Sequence, residues 1–346
     1  MLVRFSKFKK GIFYHDEYQY LNLINNILTD GDLIKGRNGN VISQFGSHMR
    51  FSLSSKERND DGTVKYKNII PFLTTKRLAW KTCSKELFWF IRGHTDNSLL
   101  KKQNVNIWND NSTPEFMASR GLSHYPDDIL GPIYGWQWRN FNGKYDYRNP
   151  NVRDFDIINS YNRVNDYYKR EPHYGSKKID QLQYVIDALK NSDINSIKEN
   201  KYSRRLIVSA WNPQQLDEMA LPPCHILFQF NVNSKDELNC IMYQRSGDVG
   251  LGVPFNIASY SLLTHIIAKH CGLKPGAFIY TIGDAHIYEE HIPYLKQQIQ
   301  RDPFEFPNIN IKRTHYDIND YSLDDIEITN YKYHKYHNSI KMDMKV

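Results

Sequence analysis

The chain predicts an α+β fold in one domain, and three observations carry that reading. First, Ile226, Phe228, Phe230 and Val232 alternate with more polar neighbours, and a second strand-like run from Leu238 to Tyr243 comes after a polar turn. Second, apolar residues fall at helical spacing in Glu17–Leu28, where Tyr20, Leu21, Ile24, Ile27 and Leu28 share a face, and in Ile257–Cys271, closed by Gly272. Third, the 346 residues show no internal repeat and no composition break that would separate two cores. Residues 1–346 are therefore taken as a single domain, with 1–16 a basic lead-in and 54–68 and 140–178 polar surface insertions.

Between these runs, Gly31 is expected to stop the first helix, and Lys35 to Asn40 reads as a glycine-punctuated loop. Val41–Ser52 is strand-like, and Ser84–Ile91 is a buried helix. Leu130–Arg139 is aromatic and dense in turn formers. Asp180–Leu189 returns to helical spacing, and Ser203-Arg204-Arg205 opens a strand over Leu206–Trp211. Phe278–Ile282 is a strand leading to Gly283-Asp284-Ala285-His286-Ile287-Tyr288, and the chain beyond Ile309 is strand-like in patches.

Composition narrows the function classes. With 40% hydrophobic and 14% aromatic residues the chain can bury a substantial core, which argues against disorder. The net charge of +7 suits anionic small ligands or weak attraction to nucleic acid and decides neither. Cys83, Cys224, Cys240 and Cys271 form no C-x-x-C pair and no metal-ligand spacing, so free thiols in a reducing compartment and no metal are expected. No run reaches the ~20 apolar residues of a membrane span. A soluble, cytoplasmic protein is the expectation.

Several side chains are candidates for chemistry. Cys224, after Pro222-Pro223, is either inert core or a nucleophile whose thiolate nearby arginines favour. His225 faces away from it on a regular strand and is a structural candidate. Glu86 sits among Leu87, Phe88, Trp89, Phe90 and Ile91, and a carboxyl there is either salt-bridged or raised in pKa and able to pass a proton. Arg37, Arg204, Arg205 and Arg245 are separate surface charges or a phosphate clamp. Asn256 is an N-cap for the helix at Ile257, or an amide that reads a nucleobase edge. Gly247, Gly250 and Gly252 lack the G-x-G-x-x-G order and the P-loop lysine, which rejects a dinucleotide fold. His286 and Tyr288 share one strand face.

The segments Met219-Ala220-Leu221-Pro222-Pro223-Cys224-His225, Gln244-Arg245-Ser246-Gly247-Asp248, Gly252-Val253-Pro254-Phe255-Asn256-Ile257-Ala258-Ser259-Tyr260 and Gly283-Asp284-Ala285-His286-Ile287-Tyr288 resemble the folate-dependent thymidylate synthases, closest to their eukaryotic-type branch. The ending Ile340-Lys341-Met342-Asp343-Met344-Lys345-Val346 resembles that branch too. The resemblance implies a large mixed β-sheet covered by helices, with sheets packing back to back in a homodimer. It implies methylation of deoxyuridylate (dUMP) with 5,10-methylenetetrahydrofolate as donor of carbon and hydride. Cys224 would add to C6 of the pyrimidine, Glu86 would relay protons near O4, and Tyr134 would serve removal of the C5 proton. Arg245, helped by Arg37, would bind the phosphate and keep Cys224 acidic, Ser246 would add a hydrogen bond, and Arg204 and Arg205 would come from the partner subunit. Gly247 and Asp248 also belong to the expected dUMP site, Asn256 would read the uracil edge, and His286 and Tyr288 would hold the sugar hydroxyl. Lys76, Ile107, Trp108, Asn111, Asp248, Leu251, Gly252, Phe255 and Lys345 match the folate pocket.

The sequence departs from the family pattern in places. The loop after Arg37 is about one residue short, Ala79 replaces a histidine common in bacterial members, and Lys345 replaces a small residue. The two insertions lack counterparts of that length. With no reductase domain in this sequence, the single-function form is the one it resembles. A deoxyuridylate hydroxymethylase, or an added RNA-binding role motivated by the charge and the tyrosine-rich insertion, are the alternatives.

Overall fold

In the computed structural model the described residues are 15–36, 39–58, 61–148, 150, 178–196, 198–335 and 342. The lead-in up to residue 14, Arg37, most of the 140–178 insertion and Lys345 lie outside them.

Strands β1 (Asp32–Gly36), β2 (Gly39–Ser52), β5 (Ile207–Ser209), β6 (His225–Val232), β7 (Glu237–Asp248) and β8 (Lys274–Tyr288) form one sheet in the order β1-β2-β8-β7-β6-β5. All neighbours are antiparallel except β7 and β8, so the sheet is mixed. A parallel pair needs a long crossover. Helix α7 (Gly252–His270) supplies it, and its residues are buried nearly all round, as a helix apolar on every side must be.

Helices α1 (Glu17–Asp30), α2 (Trp80–Ile91), the short α3 (Ser98–Lys101) and α4 (Pro114–Ser119), α5 (Tyr134–Asn140), α6 (Gln181–Lys190) and α8 (Ile292–Gln298) complete the helical set described. In α1, Tyr20, Ile24 and Ile27 are fully buried at the predicted spacing, and Asp180 caps α6 by accepting the Gln183 N–H. Strands β9 (Asn308–Ile311) and β10 (Ile326–Thr329) pair as a separate two-stranded ribbon.

Register makes the sheet two-faced. Val208, Phe228, Met242, Tyr280 and Met49 lie side by side across five strands, each 0–1% exposed, under the helices. The next row, Ile207, Gln229, Ile241, Ile279 and Arg50, points the other way. There Ile207 and Ile241 are 42% and 39% exposed.

Two sequence expectations need correction, and one segment proves more regular than its composition told. Lys35 and Gly36 belong to β1 and not to a loop, because Leu33 to Gly36 pair with Gly39 to Ile42 in a hairpin. The 54–68 insertion lies on the surface as predicted but is regular, its strands β3 (Ser54–Arg58) and β4 (Val64–Asn68) pairing antiparallel. Helix α7 starts at Gly252, five residues before Ile257, so Asn256 stands inside the helix and is not its N-cap. Pro254 is compatible with this because the first-turn N–H groups have no helical partner.

Candidate functional site

The site forms where β6 and β7 emerge beside α2, α5 and α7. Cys224 ends the Pro222-Pro223 segment just before β6, and its carbonyl accepts the Arg245 N–H at 2.9 Å. Its own N–H donates to the Tyr134 hydroxyl at 2.7 Å. Tyr134 opens α5 and is buried, so its phenol stays well above the ordinary tyrosine range and is neutral. Cys224 is half-buried, and all four cysteines are free.

Arg245 is fixed against the cysteine loop. Its Nε donates to the Pro223 carbonyl and its Nη2 to the Pro222 carbonyl, both at 2.9 Å, and the guanidinium lies over the Trp211 ring. Nη1 makes no hydrogen bond among the described residues. The family resemblance implies an arginine that keeps Cys224 acidic. In the single chain the balance is different: burial pushes the thiol above its ordinary value, and Arg245 and the Tyr134 hydroxyl pull it back only in part. Arg37 lies outside the described residues, and Arg204 and Arg205 lie elsewhere.

Glu86 is the second candidate. It projects from α2, and Trp108 Nε1 donates to its Oε1 at 2.8 Å. Among the described residues it has no ion pair. Burial raises its carboxyl from the ordinary 4.5 to about 7, with Trp108 opposing. Trp108 and Tyr134 pack edge to face, so carboxyl, phenol and thiol share one aromatic pocket.

Asn256 is held by a network that spacing does not reveal. His225 Nε2 donates to Asn256 Oδ1 at 2.9 Å, which places the ring proton on Nε2. Asn256 Nδ2 donates to Gln244 Oε1 at 2.7 Å and to the Tyr280 hydroxyl at 3.2 Å. Gln244 Nε2 is anchored on the Ser246 carbonyl at 2.8 Å. Burial holds His225 down at about 4, so it is neutral and positions the amide; the register shifts between His225 and Leu227, so strand parity does not decide which way the ring faces. Gln244 and Tyr280 are missing from the candidates drawn from sequence. Their signal is parity: Gln244 falls on the buried side of β7, where an amide requires partners.

On the other side of Arg245, Ser246 and Asp248 end β7, and the buried Gly247 lets α7 come close: a Cβ there would sit 3.1 Å from Val253. His286 and Tyr288 share a face of β8 with ring centroids 5.4 Å apart, and His286 Nδ1 lies 3.2 Å from Asp284 Oδ1. Ile107, Leu251, Gly252 and Phe255 are half-buried, and Trp108 and Asn111 are buried. Asp248 Oδ1 accepts the N–H groups of Gly250 and Leu251, and Oδ2 takes no hydrogen bond among the described residues. Half-buried apolar walls with one open carboxylate oxygen fit a flat heterocycle carrying N–H donors. Lys76 does not stand at an open entrance: it is 4% exposed, with Nζ donating to the Gly250 carbonyl.

Arg204 and Arg205 do not reach Cys224 within one chain. The Arg204 carbonyl accepts Gln229 Nε2, four residues and roughly 13 Å along β6 from His225. Arg205 is 79% exposed and ion-paired to Glu199. Both line an open groove of about 600 Å³ with Ile194, Lys198 and Tyr202.

Among the described residues no helix is long and apolar enough to cross a membrane, and no cluster of three His, Cys, Asp or Glu side chains is placed to hold a metal ion.

Residues 18–346 match the family model described as thymidylate synthase. The chain is 44% identical over 333 residues to a Homo sapiens protein named thymidylate synthase, covering 96% of this chain and 91% of that one. It is 41% identical over 333 residues to the thymidylate synthase of human herpesvirus 8 type P, covering 96% and 85%. It is 42% identical over 334 residues to the bifunctional dihydrofolate reductase-thymidylate synthase of Leishmania major, covering 96% of this chain. The chain spans 56% of the length of that bifunctional relative.

Proposed function

The chain belongs to the thymidylate synthase family, and we propose on that footing that it converts dUMP to dTMP, with 5,10-methylenetetrahydrofolate as cosubstrate. The observation that carries the proposal is that the Cys224 backbone is hydrogen-bonded to both Tyr134 and Arg245, with Tyr134 packed on Trp108, the partner of Glu86, and on His225, the partner of Asn256.

Arg245 Nη1 and Ser246 take the phosphate, aided by Arg37. The Cys224 sulfur loses its proton and adds to C6 of the pyrimidine; the C5=C6 electron pair moves toward C5 and O4. The thiol is not acidic in the free chain, so proton loss is tied to nucleotide entry. Asn256 Oδ1 keeps one lone pair beyond the His225 bond and accepts from N3–H of uracil. Glu86, half protonated near neutral pH, exchanges a proton at O4 as charge develops there. Once C5 has bonded to the methylene carbon, freed from one folate nitrogen, its proton leaves beside the Tyr134 hydroxyl and the bond to the other folate nitrogen breaks; the folate's hydride then reduces the exocyclic methylene to a methyl group as the sulfur departs from C6, leaving dihydrofolate. The folate supplies the carbon and the hydride. Asp248 Oδ2, Ile107, Trp108, Asn111, Leu251, Gly252 and Phe255 would hold it, with Lys345 in the tail closing over it. His286 and Tyr288 hold the sugar hydroxyl.

The enzyme works as a homodimer in the cytoplasm. The open sheet face, with Ile207, Ile241 and Ile279 in one row, is apolar enough to call for a cover. A second copy packed there would bring its Arg204 and Arg205 to a phosphate they cannot reach in their own chain.

The test is release of tritium from C5-labelled dUMP in the presence of methylenetetrahydrofolate. The proposal expects release by the wild type and none by Cys224→Ser. Absence of release by folded wild-type protein that binds dUMP would refute it.

A further inference from the structure

The Glu17 side chain lies at the start of α1 and has no part in the chemistry above, yet it is fully buried and heavily engaged. Its two oxygens accept the N–H groups of Thr74 and Thr75, at 2.8–3.0 Å, and their hydroxyls at 2.7 and 2.6 Å. Burying a carboxylate is costly unless its lone pairs are met, and here both oxygens are multiply bonded. The segment it grips is held from other sides as well: Gln298 donates to the Thr75 hydroxyl, Arg301 to the Thr75 carbonyl, and the Phe304 N–H to the Thr74 hydroxyl.

The next residue after that segment is Lys76, whose buried ammonium reaches the Gly250 carbonyl. One turn along α1 from Glu17, the Tyr20 hydroxyl donates to the neighbouring Val249 carbonyl at 2.9 Å. Spacing of three places Glu17 and Tyr20 on one helix face. The same stretch is held from beneath by Asp248 Oδ1 on the Gly250 and Leu251 N–H groups, and the Val249 N–H donates to the His286 carbonyl at 2.8 Å. Successive peptide groups from Val249 to Leu251 are thus tied down, two of the ties coming from α1 and the segment Glu17 clamps. Lys76 also feels the charges of both the Asp248 and the Glu17 carboxylates.

We propose that Glu17 is a positioning residue: through Thr74, Thr75 and Lys76 it sets, together with Tyr20, the height of the 248–252 loop against which the folate packs. The inference rests on the proposed function for the identity of that ligand, but not for the mechanical coupling. Misplacing a binding wall by about 1 Å costs on the order of 10²-fold. A loss transmitted through one loop falls on the ligand that touches it. The nucleotide side is built mainly on Cys224, Arg245 and Asn256, which are tied to other elements, and it meets this loop only at Asp248 and at the His286 carbonyl.

The experiment uses the full chain and three variants, Glu17→Gln, Lys76→Met and the milder Tyr20→Phe. Gln presents an NH2 group to donors, Met leaves the Gly250 carbonyl without its lysine, and Phe removes one hydroxyl. KM for methylenetetrahydrofolate is expected to rise about 10-fold or more in the first two and about 3-fold in Tyr20→Phe, with KM for dUMP changed less than about 2-fold. Hydrogen exchange read on the 248–252 peptide supplies a readout independent of turnover. It is expected to quicken in all three variants while the peptide containing Cys224 is unchanged. Equal changes in both KM values, or unaltered 248–252 exchange in Tyr20→Phe, would overturn the inference. Wild-type protein without turnover would sink the proposed reaction, and the exchange comparison would still decide the coupling.

Discussion

Replacing Glu86 by glutamine should make the protein more stable and the enzyme nearly inactive, and the stability gain should depend on pH in a defined direction. The Glu86 carboxyl stands at about 7 in the native state against an ordinary 4.5. Between those values the folded chain holds a proton that the unfolded chain has released, so native stability is fullest below about 4.5 and falls as pH rises through 7. At 1.36 kcal/mol per pH unit, ionising the carboxyl in place costs roughly 3 kcal/mol by pH 8. Glutamine keeps an oxygen for the Trp108 N–H and carries no charge to bury. Glu86→Gln should therefore be close to wild type near pH 5 and roughly 3 kcal/mol more stable at pH 8. His225, held at about 4, gives the opposite slope below neutrality but is common to both proteins and cancels in the difference. Urea unfolding of both at pH 5, 6.5 and 8 measures this. Turnover should fall on the order of 10²–10⁴-fold, since glutamine cannot pass a proton. A stability difference that is the same at all three pH values would refute the reasoning.

Trp108→Phe removes the donor that opposes burial at Glu86, so the inflection near pH 7 in the kcat profile should move upward, by about one pH unit for one lost bond to a charged group; an unmoved inflection would show that another group titrates. Ile241→Lys places a charge in the open row of the sheet, so sedimentation should show monomer, and turnover should be lost with Cys224 still intact; a monomeric variant with full activity would separate Arg204 and Arg205 from the phosphate.

Much of this architecture is legible in the sequence because burial imposes a period. Phe228, Phe230 and Val232 turn inward at every second residue of β6, and Tyr20, Ile24 and Ile27 at every turn of α1, so spacing alone reveals both elements. The start of α7 is hidden because Gly250, Gly252 and Pro254 look like loop, although a proline in the first helical turn forfeits no bond. Lys35 and Gly36 look like a turn, and their membership in β1 comes from pairing with β2. The reactive residues stand out through motifs, but their settings do not. Trp108 and Glu86 are 22 residues apart, and Glu17 and Thr74 are 57 apart. A contact across that distance leaves no local period. The same holds for Lys76, whose ammonium is buried 174 residues from its carbonyl partner. The relative weight of burial and Arg245 on Cys224 also requires three dimensions.

The identity of the nucleophile can be tested by stopping the reaction on the protein. If C5 must lose a proton before sulfur can leave C6, fluorine at that position blocks departure, because it cannot leave as a cation. Intact mass of the protein after incubation with 5-fluoro-dUMP and methylenetetrahydrofolate, followed by peptide mapping, should show one adduct per occupied site, on the peptide carrying Cys224. An adduct on Cys83, Cys240 or Cys271, or none from protein that demonstrably binds the nucleotide, would contradict the account.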